Sequence, residues 1–237
     1  MSTYLQLCAD VQRECDVVGT EISAVTNQTG ELLRIVNWVK NAWIEIQNRH
    51  TNWRWMRSRF TVSATASDGV YAGTDCTDSR LSATITRFGD WWLTDDEGFP
   101  MVRSYLTSAG VAGETLLRPL SWQYFYYLYR RGTQTDGVPA HVSADPQNNL
   151  VLGPVPSATY TVSGEYQMSA QVLAANSDEP EMPSRFHQLI VYEAMKMYAG
   201  YESAPEVMTR GVAGSNKIMR QLEASQLPAM SFAGPLA

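Results

Sequence analysis

The stretch from Thr29 to Phe60 places the strongest constraint on the fold of this 237-residue chain. Apolar residues recur within it at alternating steps of four and three, at Leu32, Val36, Val39, Trp43 and Ile46. This spacing predicts one face of a long helix that has Thr29 as its N-cap and ends between His50 and Trp55. Since so long an apolar face must be covered, we expect the helix to pack in a bundle with other helices.

The end of this stretch is rich in tryptophan and arginine. Four of the seven tryptophans lie between Thr29 and Phe60. Six Arg or Lys against two Glu between Glu31 and Arg59 give a local charge of +4. Such surface is typical of an interface with an acidic protein or DNA, and a solvated helix face with charge-paired neighbours has the same composition. The residues predicted to form a subunit interface are Trp43, Arg49, Trp53, Trp55 and Arg57. We expect Trp53→Ala or Arg57→Glu to leave the monomer folded while impairing assembly.

The overall composition limits the class of protein. A net charge of −6 argues against a general nucleic-acid binder, and fifteen Arg against three Lys favour an assembly protein. Neither a transmembrane stretch nor a signal-peptide pattern is visible, which predicts a protein kept in the cytoplasm, or in a particle assembled there, with no membrane partner. The three cysteines have no CxxC spacing, so a disulfide framework is not expected.

Hydrophobic periodicity predicts helices at both ends of the chain and β structure between them. Thr3 and Gln6 have capping-box spacing and open a first helix that runs to about Cys15. Helical spacing returns from Pro183 to Gly200. A last helix is predicted from a second capping box, at Ser203–Glu206, with Gly211 and Gly214 weakening its middle.

Strict alternation predicts strands between these helices, clearest from Tyr160 to Met168. The predicted fold class is α+β, a helical bundle of the N- and C-terminal helices with an inserted antiparallel β-rich module. The predicted domains are 1–56 with 177–228 for the bundle and 57–176 for the module, followed by an extended tail over 229–237.

The chain contains no recognisable catalytic signature. It has no P-loop, no Rossmann glycine pattern and no nucleophile elbow, and His50, His141 and His187 are isolated. The acidic run Asp95-Asp96-Glu97 lacks the ligand rhythm of an EF-hand and is predicted to be a solvated turn. We therefore predict no enzyme activity, no cofactor and no metal site.

The run from Trp122 to Tyr129, beside Arg130 and Arg131, predicts a short aromatic helix. Stacked bases could lie on such a surface, but base-stacking platforms normally sit in a basic groove, and only two cations are adjacent here. The favoured interpretation is packing between the β module and the bundle.

Several segments together resemble the head–tail adaptor (connector) proteins of tailed bacteriophages. They are TYLQLCADVQREC, TGELLRIVNWVKNAWIEIQ, NWRWM, LVLGPVPSATYTVSGEYQM, EMPSRFHQLIVYEAM and QLP near the C-terminus. The resemblance covers most of the chain and is weakest over 67–115.

The resemblance implies a bundle with an inserted β domain and a virion protein without enzymatic activity. It implies a homo-oligomeric ring, typically dodecameric, that lies under the portal protein, extends the DNA channel and docks a downstream neck or tail protein. Packaged DNA would pass without sequence-specific binding. A C-terminal segment of the family often grips the portal, and here its apolar anchors would be Met230, Phe232 and Leu236.

Other functions remain open at this stage. The chain could be another neck, stopper or tail-completion ring protein on the same axis. It could also be a DNA-binding module that uses Arg49, Arg54, Arg57 and Arg59. A tail-associated hydrolase is a third class, supported only by the mixed architecture.

Overall fold

A computed structural model describes residues 2–228 and divides the chain into two compact units. The helical unit contains the residues up to Trp55 and those from Ala170 onward, and the β unit comprises Met56–Ser169. The predicted α+β class, with terminal helices flanking a β-rich module, is confirmed. The predicted tail over 229–237, with Met230, Phe232 and Leu236, lies outside the described residues.

Four of the helices belong to the helical unit and the third belongs to the β unit. The helices are α1 (Tyr4–Glu14), α2 (Gly30–Asn48), α3 (Trp122–Tyr129), α4 (Gln188–Glu202) and α5 (Pro205–Gln226). Helix α4 contacts α1, α2 and α5, and its Leu189, Ile190 and Ala194 are completely buried. The capping box at Thr3 is confirmed, because the Gln6 amide donates to the Thr3 hydroxyl and the Thr3 amide donates to the Gln6 side chain.

Helix α5 differs from the prediction at its start and in its middle. The capping box at Ser203 is wrong, because Ser203 has a left-handed backbone (φ 55°) that closes α4, and Ala204 is the N-cap of α5. The glycines do not interrupt the helix. A Cβ on Gly214 would lie 2.6 Å from the Tyr192 ring of α4, so the missing side chain allows the two helices to approach closely.

The β unit contains a seven-stranded and a four-stranded sheet. Its strands are β1 (Arg57–Ala64), β2 (Val70–Tyr71), β3 (Thr77–Asp78), β4 (Ala83–Thr84), β5 (Phe88–Trp92), β6 (Arg103–Leu106), β7 (Thr115–Leu116), β8 (Arg118–Pro119), β9 (His141–Ala144), β10 (Leu150–Gly153) and β11 (Tyr160–Met168). The larger sheet has the order β4-β3-β1-β11-β6-β7, with β5 also on β11, and the smaller has β2-β10-β9-β8. Strands β1 and β11 pair antiparallel over the whole length of β1, and they are the central strands of the larger sheet.

A buried carboxylate lies in the core of the β unit. Asp78 is 2% exposed, and one of its oxygens accepts hydrogen bonds from the Ser58 hydroxyl at 2.8 Å and the Tyr166 hydroxyl at 2.7 Å. Its other oxygen accepts from the amides of Arg80 and Leu81. Burial alone would raise the pKa of Asp78, but these four hydrogen bonds outweigh it and lower the pKa below the ordinary value. The carboxylate therefore stays charged and fixes the turn after β3.

The β unit ends earlier along the chain than the predicted module. We predicted that residues 170–176 belong to the module, whereas the structure groups them with the helices. The Gln171 amide donates to the Gln47 side-chain oxygen at 2.7 Å, and the Gln47 side-chain nitrogen donates to the Gln171 carbonyl at 3.0 Å. Trp43 of α2 adds a third bond, from its indole nitrogen to Gln171 Oε1 at 3.1 Å. These bonds attach the returning chain to α2.

Candidate assembly surfaces

The tryptophan-rich segment after α2 folds back on the end of that helix. Trp53 is completely buried, and its indole N–H donates to the carbonyl oxygens of Ile46 and Gln47, each at 3.2 Å. The last carbonyls of a helix lack the donors that follow inside the helix, so the indole acts as a cap, together with the Arg49 amide, which donates to the Ile46 carbonyl at 3.4 Å. Helix α2 ends at Asn48, before the predicted end between His50 and Trp55.

Other rings and a carboxylate complete this cap within the helical unit. The Trp55 ring stacks on Trp53 with 4.4 Å between centroids, and the His50 ring meets Trp53 edge-on at 4.9 Å. His50 Nε2 lies 3.0 Å from Glu223 Oε1 on α5. The end of α2 is therefore tied to α5 through an aromatic cluster.

The predicted interface residues occupy different environments. Trp43 and Trp53 are completely buried in the helical unit, so neither offers its own surface to another subunit. Trp55 is partly exposed, whereas Arg49 is exposed. Sequence periodicity could not separate these cases, because a buried cap and an exposed anchor have the same composition.

Arg57 packs within the β unit. Its guanidinium carbon lies 3.5 Å from the centre of the Trp92 ring, and its Nη2 lies 3.8 Å from Asp96 Oδ1. The side chain keeps 22% of its surface exposed. Because one face of the guanidinium already stacks on its own chain, little of Arg57 is available to a neighbour. The interface role of Arg49, Trp55 and Arg57 stays a prediction.

The aromatic helix α3 is mostly exposed. Only Phe125 is fully buried, while Tyr124, Tyr126 and Tyr127 are 54%, 48% and 62% exposed. Packing of α3 between the β module and the bundle stays a prediction. This surface was visible in the sequence as adjacent tyrosines that one helix cannot bury together on one face.

Contacts with the four-stranded sheet hold α3 in place. A Cβ on Gly153 would lie 2.5 Å from the Tyr129 ring and 2.8 Å from Phe125, so the helix packs directly on the backbone of β10. The Tyr129 hydroxyl lies 2.7 Å from His141 Nδ1 on β9. Burial, together with the nearby Arg118, lowers the pKa of His141, which favours a neutral ring in this contact.

The groups that a reactive or metal site would need are dispersed. Burial raises the pKa of the Cys8, Cys15 and Cys76 thiols to about 12, which suppresses the reactive thiolate. Over residues 2–228, no group of three or more His, Cys, Asp or Glu side chains could hold a metal ion. A search of the helices in that same range finds none long and apolar enough to cross a membrane.

Comparison with known proteins gives one family match. A family model described as SU10 adaptor protein matches residues 2–233, which includes the whole β unit and nearly all of the helical unit. No curated protein matches the chain.

Proposed function

Because the chain belongs to the SU10 adaptor protein family, we propose that it is a structural virion protein that forms a ring under the portal. In this role it extends the DNA channel and docks the next neck or tail protein. The observation that carries the proposal is the extent of the match, since residues 2–233 include both units rather than one shared module. The resemblance to phage adaptors found in the sequence is thus confirmed at the level of the family.

The charge of the chain supports passage of DNA through such a ring. Tight binding of DNA depends on cations that replace the counterions of its phosphates. The chain has a net charge of −6, and two of the four arginines considered as DNA contacts are close to carboxylates of the same unit. Arg57 lies near Asp96, and Arg59 Nε lies 3.6 Å from Glu165. Of these four arginines, only Arg49 and Arg54 are in none of the ion pairs of residues 2–228.

Portal binding is the direct test of this proposal. Purified chain and portal of the same phage are mixed and examined by size-exclusion chromatography and negative-stain microscopy. We expect co-elution and a ring of chain density on the portal. A chain that forms rings without binding the portal would instead be another neck, stopper or tail-completion protein.

The C-terminal anchors allow a sharper version of this experiment. We propose that Met230, Phe232 and Leu236 dock on the portal, so Phe232→Ser combined with Leu236→Ser should abolish co-elution. The matched control is Ser231→Ala, which changes the same segment without removing an apolar anchor. Equal portal binding by both variants would remove the tail from the proposal.

A further inference from the structure

Helix α3 presents an aromatic face of a kind that protein interfaces use. Tyr124, Tyr127 and Leu128 are three and four residues apart, so they share one side of the helix, and they are 54%, 62% and 37% exposed. Tyr126, which is 48% exposed, lies on another side, next to Trp122. Contiguous exposed apolar surface of this kind marks interaction sites on soluble proteins, and tyrosine is enriched among the residues that dominate binding. Since Phe125 and Tyr129 fix the helix to its sheet, the surface is already ordered before a partner arrives.

Exposed arginines adjoin this helix along the chain. Arg130 and Arg131 directly follow the helix, Arg118 precedes it on β8, and all three are exposed. The ion pairs of residues 2–228 include none of the three. The Arg131 guanidinium lies 5.4 Å from the centre of the Tyr127 ring, so charge and aromatic surface are adjacent. A complementary partner would offer carboxylates beside an apolar group.

The turn between β5 and β6 has this chemistry. The Asp95 carboxylate accepts hydrogen bonds from the amides of Glu97 at 2.9 Å and Phe99 at 2.7 Å, which fixes the turn. Asp96 and Glu97 are exposed, and the Phe99 ring is 61% exposed. Arg57 offsets part of the charge of Asp96, whereas Glu97 is in none of the ion pairs of residues 2–228.

We propose that the α3 face of one copy of the chain binds the Asp95–Phe99 turn of a second copy. Phe99 packs among the tyrosines, while Glu97 faces Arg130 and Arg131. The turn joins strands of the seven-stranded sheet and α3 lies on the four-stranded sheet, so the two surfaces are distinct and one copy can use both. Contacts between unlike surfaces repeat head to tail and close into a ring when the rotation permits. The inference rests on the proposed ring-forming function and identifies its contact.

Charge exchange tests the pairing. Arg131→Glu makes the α3 face repel the turn of an identical copy, and Glu97→Arg makes the turn repel the α3 face. Each variant alone should lose self-association in sedimentation velocity over a concentration series. An equimolar mixture should recover it, because every contact between unlike copies again joins opposite charges. A mixture that stays monomeric while the unmodified chain associates would overturn the proposal.

Cross-linking locates the contact. The native cysteines are buried, so a bismaleimide will report on introduced thiols. A mixture of Tyr127→Cys and Glu97→Cys should give covalent dimers, with little dimer from either variant alone. Asn216→Cys, an exposed position on α5, is the control in mixtures with each variant. Dimers from Tyr127→Cys alone would indicate a symmetric contact and overturn the head-to-tail pairing.

The outcomes separate this inference from the proposed function. If the unmodified chain stays monomeric at every concentration, or if Arg131→Glu changes affinity for duplex DNA but not self-association, the inference fails while portal binding can persist. If portal binding is absent but charge exchange restores association, the inference stands and the portal role is withdrawn.

Discussion

The structure predicts that replacing Trp53 destabilises the monomer, whereas the sequence suggested that the monomer would stay folded. Its indole is buried and caps two carbonyls of α2, so Trp53→Ala should destabilise the helical unit rather than leave the monomer folded. The substitution removes a large buried ring that contacts the rings of His50 and Trp55.

The expected loss has two parts. Replacing a buried tryptophan by alanine typically costs about 3–5 kcal/mol, through lost burial and the cavity left behind. Trp53→Phe keeps most of the ring but removes the indole donor, which leaves the Gln47 carbonyl without it, whereas the Ile46 carbonyl keeps the Arg49 amide. An unsatisfied buried polar group costs about 1–3 kcal/mol, so the Phe variant should lie between the Ala variant and the unmodified chain.

Urea denaturation followed by far-UV circular dichroism measures both losses. Arg49→Ala is the matched control, because this exposed residue lies immediately after the same helix and its loss should change the stability by no more than about 0.5 kcal/mol. The reasoning would be refuted if Trp53→Ala lost less than about 1 kcal/mol yet abolished ring formation, since the indole would then act between subunits.

Two further perturbations test packing and charge in the separate units. Because the pKa of Asp78 is lowered in the folded state, its contribution to stability is present above the unfolded pKa of about 3.9 and is lost as pH falls through the folded pKa. Asp78→Asn should therefore be less stable at neutral pH and show a flatter acid dependence in denaturation series; identical profiles would contradict this. Gly214→Ala should cost about 1–3 kcal/mol through overlap with Tyr192, whereas Gly200→Ala, whose Cβ meets nothing within 4 Å, should gain about 0.5–1 kcal/mol. Thermal denaturation of the two alanine variants checks the sign, and a stabilised Gly214→Ala would refute the close approach of α4 and α5.

The parts of the fold that sequence predicted well are those set by local pattern. The capping box at Thr3 involves residues three apart, and the apolar face of α2 depends only on its own spacing. The alternation from Tyr160 to Met168 likewise belongs to a single strand, β11. Such signals need no knowledge of what packs against them, which is why they identified the α+β class.

The predictions failed where contacts with residues distant in the sequence determine the local structure. The pattern at Ser203 matches a capping box, but the tight connection from α4 to α5 places that residue in a left-handed turn instead. The assignment of residues 170–176 failed because Gln171 is held by Gln47, a residue 124 positions earlier. Gly214 was predicted to weaken α5, although the Tyr192 ring of another helix leaves no room for a larger side chain there. In each case the partner lies on another element, beyond the reach of a local pattern.

The burial of tryptophan and the exposure of tyrosine in this chain differ from what composition suggested. Composition predicts that the tryptophans after α2 are interface anchors. Trp53 is instead buried in the helical unit, and its indole N–H donates to a carbonyl at the end of α2. A donor beside a broad ring suits the end of a helix, where carbonyls lack partners next to apolar side chains. Tyrosine keeps a hydrated hydroxyl at the tip of an apolar ring, so Tyr126 and Tyr127 can stay exposed on α3 at lower cost. A search for assembly contacts in this chain should therefore begin with the exposed tyrosines of α3 rather than with the tryptophans.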